Sequence, residues 1–159
     1  MRLSVFVCTI LPQAAYRDEK EFIMKLAATL YLFAALIILA VDIIWLTAIA
    51  RSIYVAEIGG LLKKSPDLVA ALAFYVLYVA GLTFFVLMPS FEAGSVLRAA
   101  LTGAFFGLVA YATYDLTNLA TLEGFTTRIA LIDMGWGAGL TALASAGAVW
   151  LAQKASWLA

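Results

Sequence analysis

The sequence predicts an all-α membrane protein, a four transmembrane helix bundle with both termini on the same side. Three observations carry that expectation. Of 159 residues, 65% are hydrophobic and only 13% are charged, about half the charged share of about 25% usual in a soluble domain. The apolar residues gather into four runs, each near the about 20 residues needed to cross a bilayer, and mean hydropathy is +1.03. Runs of that length in lipid must be helical, because an open strand would leave its backbone N–H and C=O groups unsatisfied.

The runs follow in order. Residues 1–12 form a short apolar stretch with one arginine, and 13–22 are polar and charged. The stretch resembles a signal peptide but is short and has a poor cleavage pattern. Met24-Lys25 ahead of a long apolar run looks like a natural beginning. Residues 1–23 are therefore expected to be an N-terminal arm or an upstream extension, and 24–159 the four-helix transmembrane domain. The first span is expected at 26–49, uncharged except for Asp42, with a polar connection over 51–65. Ser65-Pro66-Asp67 reads as a helix start, with serine as the cap and proline in the first turn. The second span, about 68–87, is closed by Pro89; Gly94-Ser95 opens the third, about 96–118. A loop containing Gly124 leads to the fourth, about 127–151, whose far end is marked by Trp150, Lys154 and Trp157 as an interface belt. None of the four is expected to be interrupted in mid-membrane.

Orientation is weakly encoded. Counted from Met24, the side holding the termini carries Lys25, Arg98 and Lys154, against Arg51, Lys63, Lys64 and Arg128 opposite. Such a small lysine and arginine bias barely selects a direction. Net charge is zero with no basic stripe, so the expected partner is the lipid bilayer and not nucleic acid. A single cysteine, Cys8, and the lack of histidine exclude an internal disulfide, thiolate clusters and most zinc chemistry. No metal site is assigned, and any cofactor stays unknown.

The informative residues are polar ones inside the spans. A carboxylate at a helix centre costs roughly 2.5–3.5 kcal/mol on insertion scales, and this chain carries three: Asp42, Asp115 and Asp133. At 1.5 Å per residue, they lie about 10, 5 and 8–9 Å from the same membrane boundary, with Tyr75 and Tyr111 about 10 Å deep. Tyr111, Asp115 and Asn118 share one helix face at i, i+4 and i+7, with Tyr114 beside them. Asp42 and Trp45 on helix one, and Asp133 and Trp136 on helix four, repeat an Asp-x-x-Trp spacing. Each indole is thereby placed beside an aspartate to which it could donate. Gly103 and Gly107 on helix three, and Gly135 and Gly139 on helix four, form GxxxG patterns expected to pack helices closely. Part of that surface is left open to a homodimer.

The run from Tyr114 through Thr121, with Asp133-Met-Gly-Trp136-Gly137 and the Asp42/Trp45 pair, resembles the family called domain of unknown function 2177. The resemblance covers roughly 24–151. It implies a small bacterial protein with four spans, multi-pass in the cell inner membrane, and brings no established activity.

Three carboxyls in one low-dielectric layer cannot all be ionised comfortably. That leaves three readings open. One is proton- or cation-coupled transport of a small solute. A second is a lipid-acting or lipid-binding protein using paired carboxylates. The third is a structural role, with the aspartates fixing helix packing or a membrane complex. Glu57 and the other loop acids are expected to be solvated, and Tyr54 to sit at an interface.

Overall fold

A computed structural model describes residues 13–155 of the chain. The apolar run at 1–12 with Cys8, and Trp157 of the expected interface belt, lie outside the described residues. Among the described residues, four helical rods are long and apolar enough to cross a membrane: Tyr16–Leu61, Leu68–Glu92, Val96–Thr121 and Thr127–Lys154. No strand occurs among the described residues. The protein is an all-α, four-helix membrane protein.

The first rod consists of α1 (Gln13–Ile44), a π-helical turn (Trp45–Ile49), α2 (Ala50–Ile58) and a 3₁₀ turn (Gly59–Leu61). It does not stop at Arg51, where the sequence suggested a connection. At 46 residues it is about 69 Å long if straight, more than twice a hydrocarbon core of about 30 Å. Helix and span therefore end in different places. At the start of the rod, exposed charges pair along the helix, with Lys25 Nζ 2.7 Å from Glu21 Oε1. Leu26, Leu30, Ala34 and Ile38 then form a buried stripe at every fourth position, and Asp42 continues it.

The second rod comprises α3 (Leu68–Leu82), a π-helical turn (Thr83–Leu87) and α4 (Met88–Glu92). Its cap is Asp67, whose Oδ1 accepts from the Val69 and Ala70 amides at 3.1 Å each. The cap is thus Asp67 and not Ser65, because Pro66 precedes the helix instead of entering its first turn. The rod also runs past Pro89. Proline lacks an N–H and crowds the carbonyl four residues back, and the wide turn just before it, where the Met88 amide reaches the Thr83 carbonyl, accommodates both. Both rods remain continuous helices through these two π turns, which widen the ladder locally without breaking it.

Helix α5 (Val96–Thr121) is capped by Ser95, whose Oγ accepts from the Arg98 amide at 3.1 Å. Helix α6 (Thr127–Lys154) is capped by Thr126. Glycines at positive φ, Gly94 at 62° and Gly124 at 84°, turn the chain ahead of each cap. Helix α6 is the most buried of the four, and α5 packs along it most extensively, followed by α1.

That α5–α6 contact is made of small residues. Ala99, Gly103 and Gly107 are buried on α5. A Cβ added at Gly103 would strike Ser145, and one at Gly107 would strike the Gly137 carbonyl and Thr141. On α6 the close-approach glycine is Gly137, whose added Cβ would enter the Tyr111 ring. Gly135 and Gly139 do not pack: nothing lies within 4 Å of a Cβ built on either. The GxxxG reading of helix four is corrected accordingly, because the face that meets α5 passes through Gly137 and Thr141, each about 160° round the helix from Gly139 at 3.6 residues per turn.

Candidate functional site

Asp42 lies 6% exposed at the end of the buried stripe of α1. The Tyr75 hydroxyl from α3 donates to its Oδ2, and the Trp136 indole from α6 donates to its Oδ1 at 3.0 Å. Both oxygens are engaged, so this carboxyl ties three helices together. The repeated Asp-x-x-Trp spacing acts across helices and not within them. Trp136 bonds the aspartate of α1, while Trp45 and Trp136 stack on one another with centroids 4.1 Å apart and planes 10° from parallel.

Asp133, 5% exposed, accepts from the Tyr54 hydroxyl through Oδ1. Tyr54 was missed as a site residue because the first helix was expected to end before it. Along a straight helix it would stand about 18 Å beyond Asp42. The π turn changes that path: Ile49 has φ −118° and ψ −56°, and α2 leans onto the start of α6. There Ile58 packs with Phe125, Ile129 and Ala130. Glu57 locks the arrangement. Its Oε2 accepts from Thr126 Oγ1 at 2.6 Å and its Oε1 pairs with Arg128 Nη1 at 2.9 Å. Its side chain is only 15% exposed, which corrects the expectation of a solvated loop acid.

Asp115 is the third carboxyl. It is 0% exposed, and neither Oδ1 nor Oδ2 has a hydrogen-bond partner. It continues the every-fourth-residue line of Ala99, Gly103, Gly107 and Tyr111 down the face of α5 that meets α6. There it lies within electrostatic range of Asp133, as Asp133 does of Asp42. The interaction is pairwise, Asp115 with Asp133 and Asp133 with Asp42, and no hydrogen bond joins any two of the carboxyls. Tyr111 and Asn118 are half-buried on the same helix, while Tyr114 is 59% exposed. The Trp45 indole N–H is buried beside the Tyr54 hydroxyl but outside good hydrogen-bond geometry.

Beside this cluster a half-open cavity of about 430 Å³ takes lining from all four rods, with Tyr54, Phe74, Tyr111, Tyr114 and Asp133 among its walls. Ile58, Leu62 and Ala110 complete the lining. Trp136 and Asp42 stand outside it. Tyr78, a second residue the sequence did not single out, is buried behind it, sharing a hydrogen bond with Thr141. The signal that could have found Tyr78 is its place three residues after Tyr75, one helical turn on. No group of three or more His, Cys, Asp or Glu suited to a metal ion occurs among the described residues.

Nothing among curated proteins or solved structures matches this chain. One family model does: residues 27–150 match that of the predicted membrane proteins called domain of unknown function 2177. The match reaches into all four rods and includes the three carboxyls and the cavity lining, and on it the chain belongs to that family.

Proposed function

We propose that this protein is a proton-coupled transporter of a small solute, resident in a bacterial inner membrane, with Asp115 and Asp133 as the proton-binding pair. The observation that carries the reading is the Asp115 carboxyl, fully buried with both oxygens unbonded. An isolated buried charge is among the costliest features a protein can hold, so the Asp115 carboxyl rests there neutral, holding a proton, and its carboxylate is a short-lived acceptor or needs a cation beside it. Ionisable groups of this kind inside spans mark ion and proton pathways.

Asp133 supplies the link to the solute. Tyr54 occupies one of its oxygens, and the residue lines the cavity. Transfer of a proton from the Asp133 carboxyl to an Asp115 carboxylate, relayed by a water entering from the cavity because the two share no hydrogen bond, leaves one more negative charge at the cavity wall and one fewer in the interior. Solute binding is coupled to that exchange. The π turn at Trp45–Ile49 supports the reading, since such turns recur at functional sites and permit local change of helix path. Four helices are few for alternating access, so the transporting unit is a homodimer. Asp42 stands apart, because its two hydrogen bonds to two other helices favour a structural role for that residue.

Proteoliposomes loaded with a pH-sensitive dye test the reading. After an imposed pH step, wild-type protein should carry proton flux that Asp115→Asn abolishes. Equal flux from the two proteins, or none from either, ends it.

A further inference from the structure

We infer that the solute taken by the cavity is a small organic cation with an apolar body, a hydrophobic ammonium compound; this rests on the transport reading above. The cavity's composition leads there. Four of its eight lining residues are aromatic, three are aliphatic, and the eighth is Asp133. No lysine or arginine lines it, and Arg128, on the same helix as Asp133, is held by Glu57. The wall therefore carries one carboxyl and no basic group.

Other ligand classes fit less well. An anion would meet Asp133 with no compensating cation. An uncharged apolar molecule would fill the cavity but leave the second Asp133 oxygen, which accepts no protein hydrogen bond, without a partner beside it. A bare inorganic cation needs a close shell of oxygens, six to eight for calcium, and the walls are predominantly apolar. An organic ammonium satisfies each feature: its charge pairs with Asp133, its alkyl or aryl body lies against Phe74 and the aliphatic wall, and tyrosine rings attract cations. A volume of about 430 Å³ falls at the small end of the about 300–1,000 Å³ range of small-molecule sites. All four rods supply lining residues, so a bound cation contacts every helix that must move to release it.

The test uses benzyltrimethylammonium and its uncharged carbon isostere, neopentylbenzene, against the full chain in a non-ionic detergent, by titration calorimetry. The quaternary probe has no proton to lose, so any pH dependence of its binding belongs to the protein. Wild-type protein should bind the cation at least about tenfold more tightly than the isostere, as expected for an ion pair with Asp133 together with cation–π attraction from the tyrosine rings. Asp133→Asn, which keeps an acceptor for Tyr54, should abolish that preference. Tyr114→Leu should weaken cation binding several-fold, and Tyr114→Phe should retain it. Equal affinity for the two probes, no binding of the cation, or an unchanged preference in Asp133→Asn would overturn the assignment. Circular dichroism of each variant confirms that the helices are intact. Because binding needs no gradient, a negative result here leaves the proton-flux measurement standing, and loss of flux with retained cation binding would reject transport alone.

Discussion

Replacing Asp115 by alanine should make the protein more stable, and replacing Asp42 by alanine should make it less so. Asp115 buries a carboxyl whose oxygens have no partner, and mutational data price an uncompensated buried polar group at about 1–3 kcal/mol. Truncation removes that penalty and leaves a void of roughly one water's volume, about 30 Å³. At about 24 cal/mol per Å³ the void costs about 0.7 kcal/mol, while alanine regains up to about 0.7 kcal/mol of helix propensity. The net gain is about 1–3 kcal/mol. At Asp42 the balance reverses. Two hydrogen bonds from two helices are lost, at about 0.6 kcal/mol each on average and about 1.7 at most inside membranes. That costs about 1–3 kcal/mol. The two variants should therefore differ by about 2–6 kcal/mol in opposite directions from wild type. Reversible unfolding in mixed micelles, followed by far-ultraviolet circular dichroism, measures both. A stabilised Asp115→Ala that has lost proton flux identifies a residue kept for activity at a cost in stability. If Asp115→Ala proves as destabilising as Asp42→Ala, Asp115 makes native bonds and the reasoning for it as the proton site fails.

Three further outcomes are expected. Gly107→Ala should destabilise by about 1–3 kcal/mol, because the new methyl overlaps the Gly137 carbonyl and Thr141 and forces α5 from α6; Gly139→Ala, with open space around it, should instead stabilise by up to about 1 kcal/mol. The same micelle unfolding curves decide the contrast, and equal effects would count against the assigned packing face. Glu57→Ala should leave helix content unchanged but speed amide hydrogen exchange through Ala50–Ile58, since the Thr126 and Arg128 contacts that seat α2 are removed; unchanged protection there would mean that the apolar contact of Ile58 suffices alone. Trp136→Phe should cut the exciton signal of the stacked indoles in near-ultraviolet circular dichroism and release one bond to Asp42; a near-ultraviolet spectrum identical to wild type would contradict the stack.

The sequence made the four apolar runs legible because a bilayer imposes a length and forbids unsatisfied backbone, two constraints that leave one solution. Depth arithmetic along straight helices also placed Asp42 level with Tyr75, and the two are bonded. What it could not supply was rotation about the helix axis. Gly135 and Gly139 carry the same spacing as Gly103 and Gly107, yet they lie on the outer side of α6. Which pair packs depends on the facing helix, and spacing along one chain does not encode that. The two π turns escaped for a related reason. A change from i−4 to i−5 pairing alters no residue type, although Pro89 marks the second one after the fact. Missing the first turn then hid Tyr54 and Glu57 from the site, because both reach it only once α2 leans across.

The three aspartates looked equivalent in sequence, each an acid inside an apolar run, and their surroundings separate them. Asp42 has two donors and Asp133 has one, whereas Asp115 has none. A purely structural use of polar residues would distribute donors to every acid, since each unsatisfied oxygen lowers stability without return. The gradient from fully bonded to unbonded instead runs from the helix clamp at Asp42, through the cavity wall at Asp133, to the buried Asp115. A proton has somewhere to go along that series only because the last member has no donor bonded to it. Supplying Asp115 with a permanent donor, as a glutamine at neighbouring Ala112 one turn earlier on α5 could do, should therefore raise stability and stop flux together. A variant that gained stability and kept full flux would show that the unbonded carboxyl is incidental to whatever the cavity does.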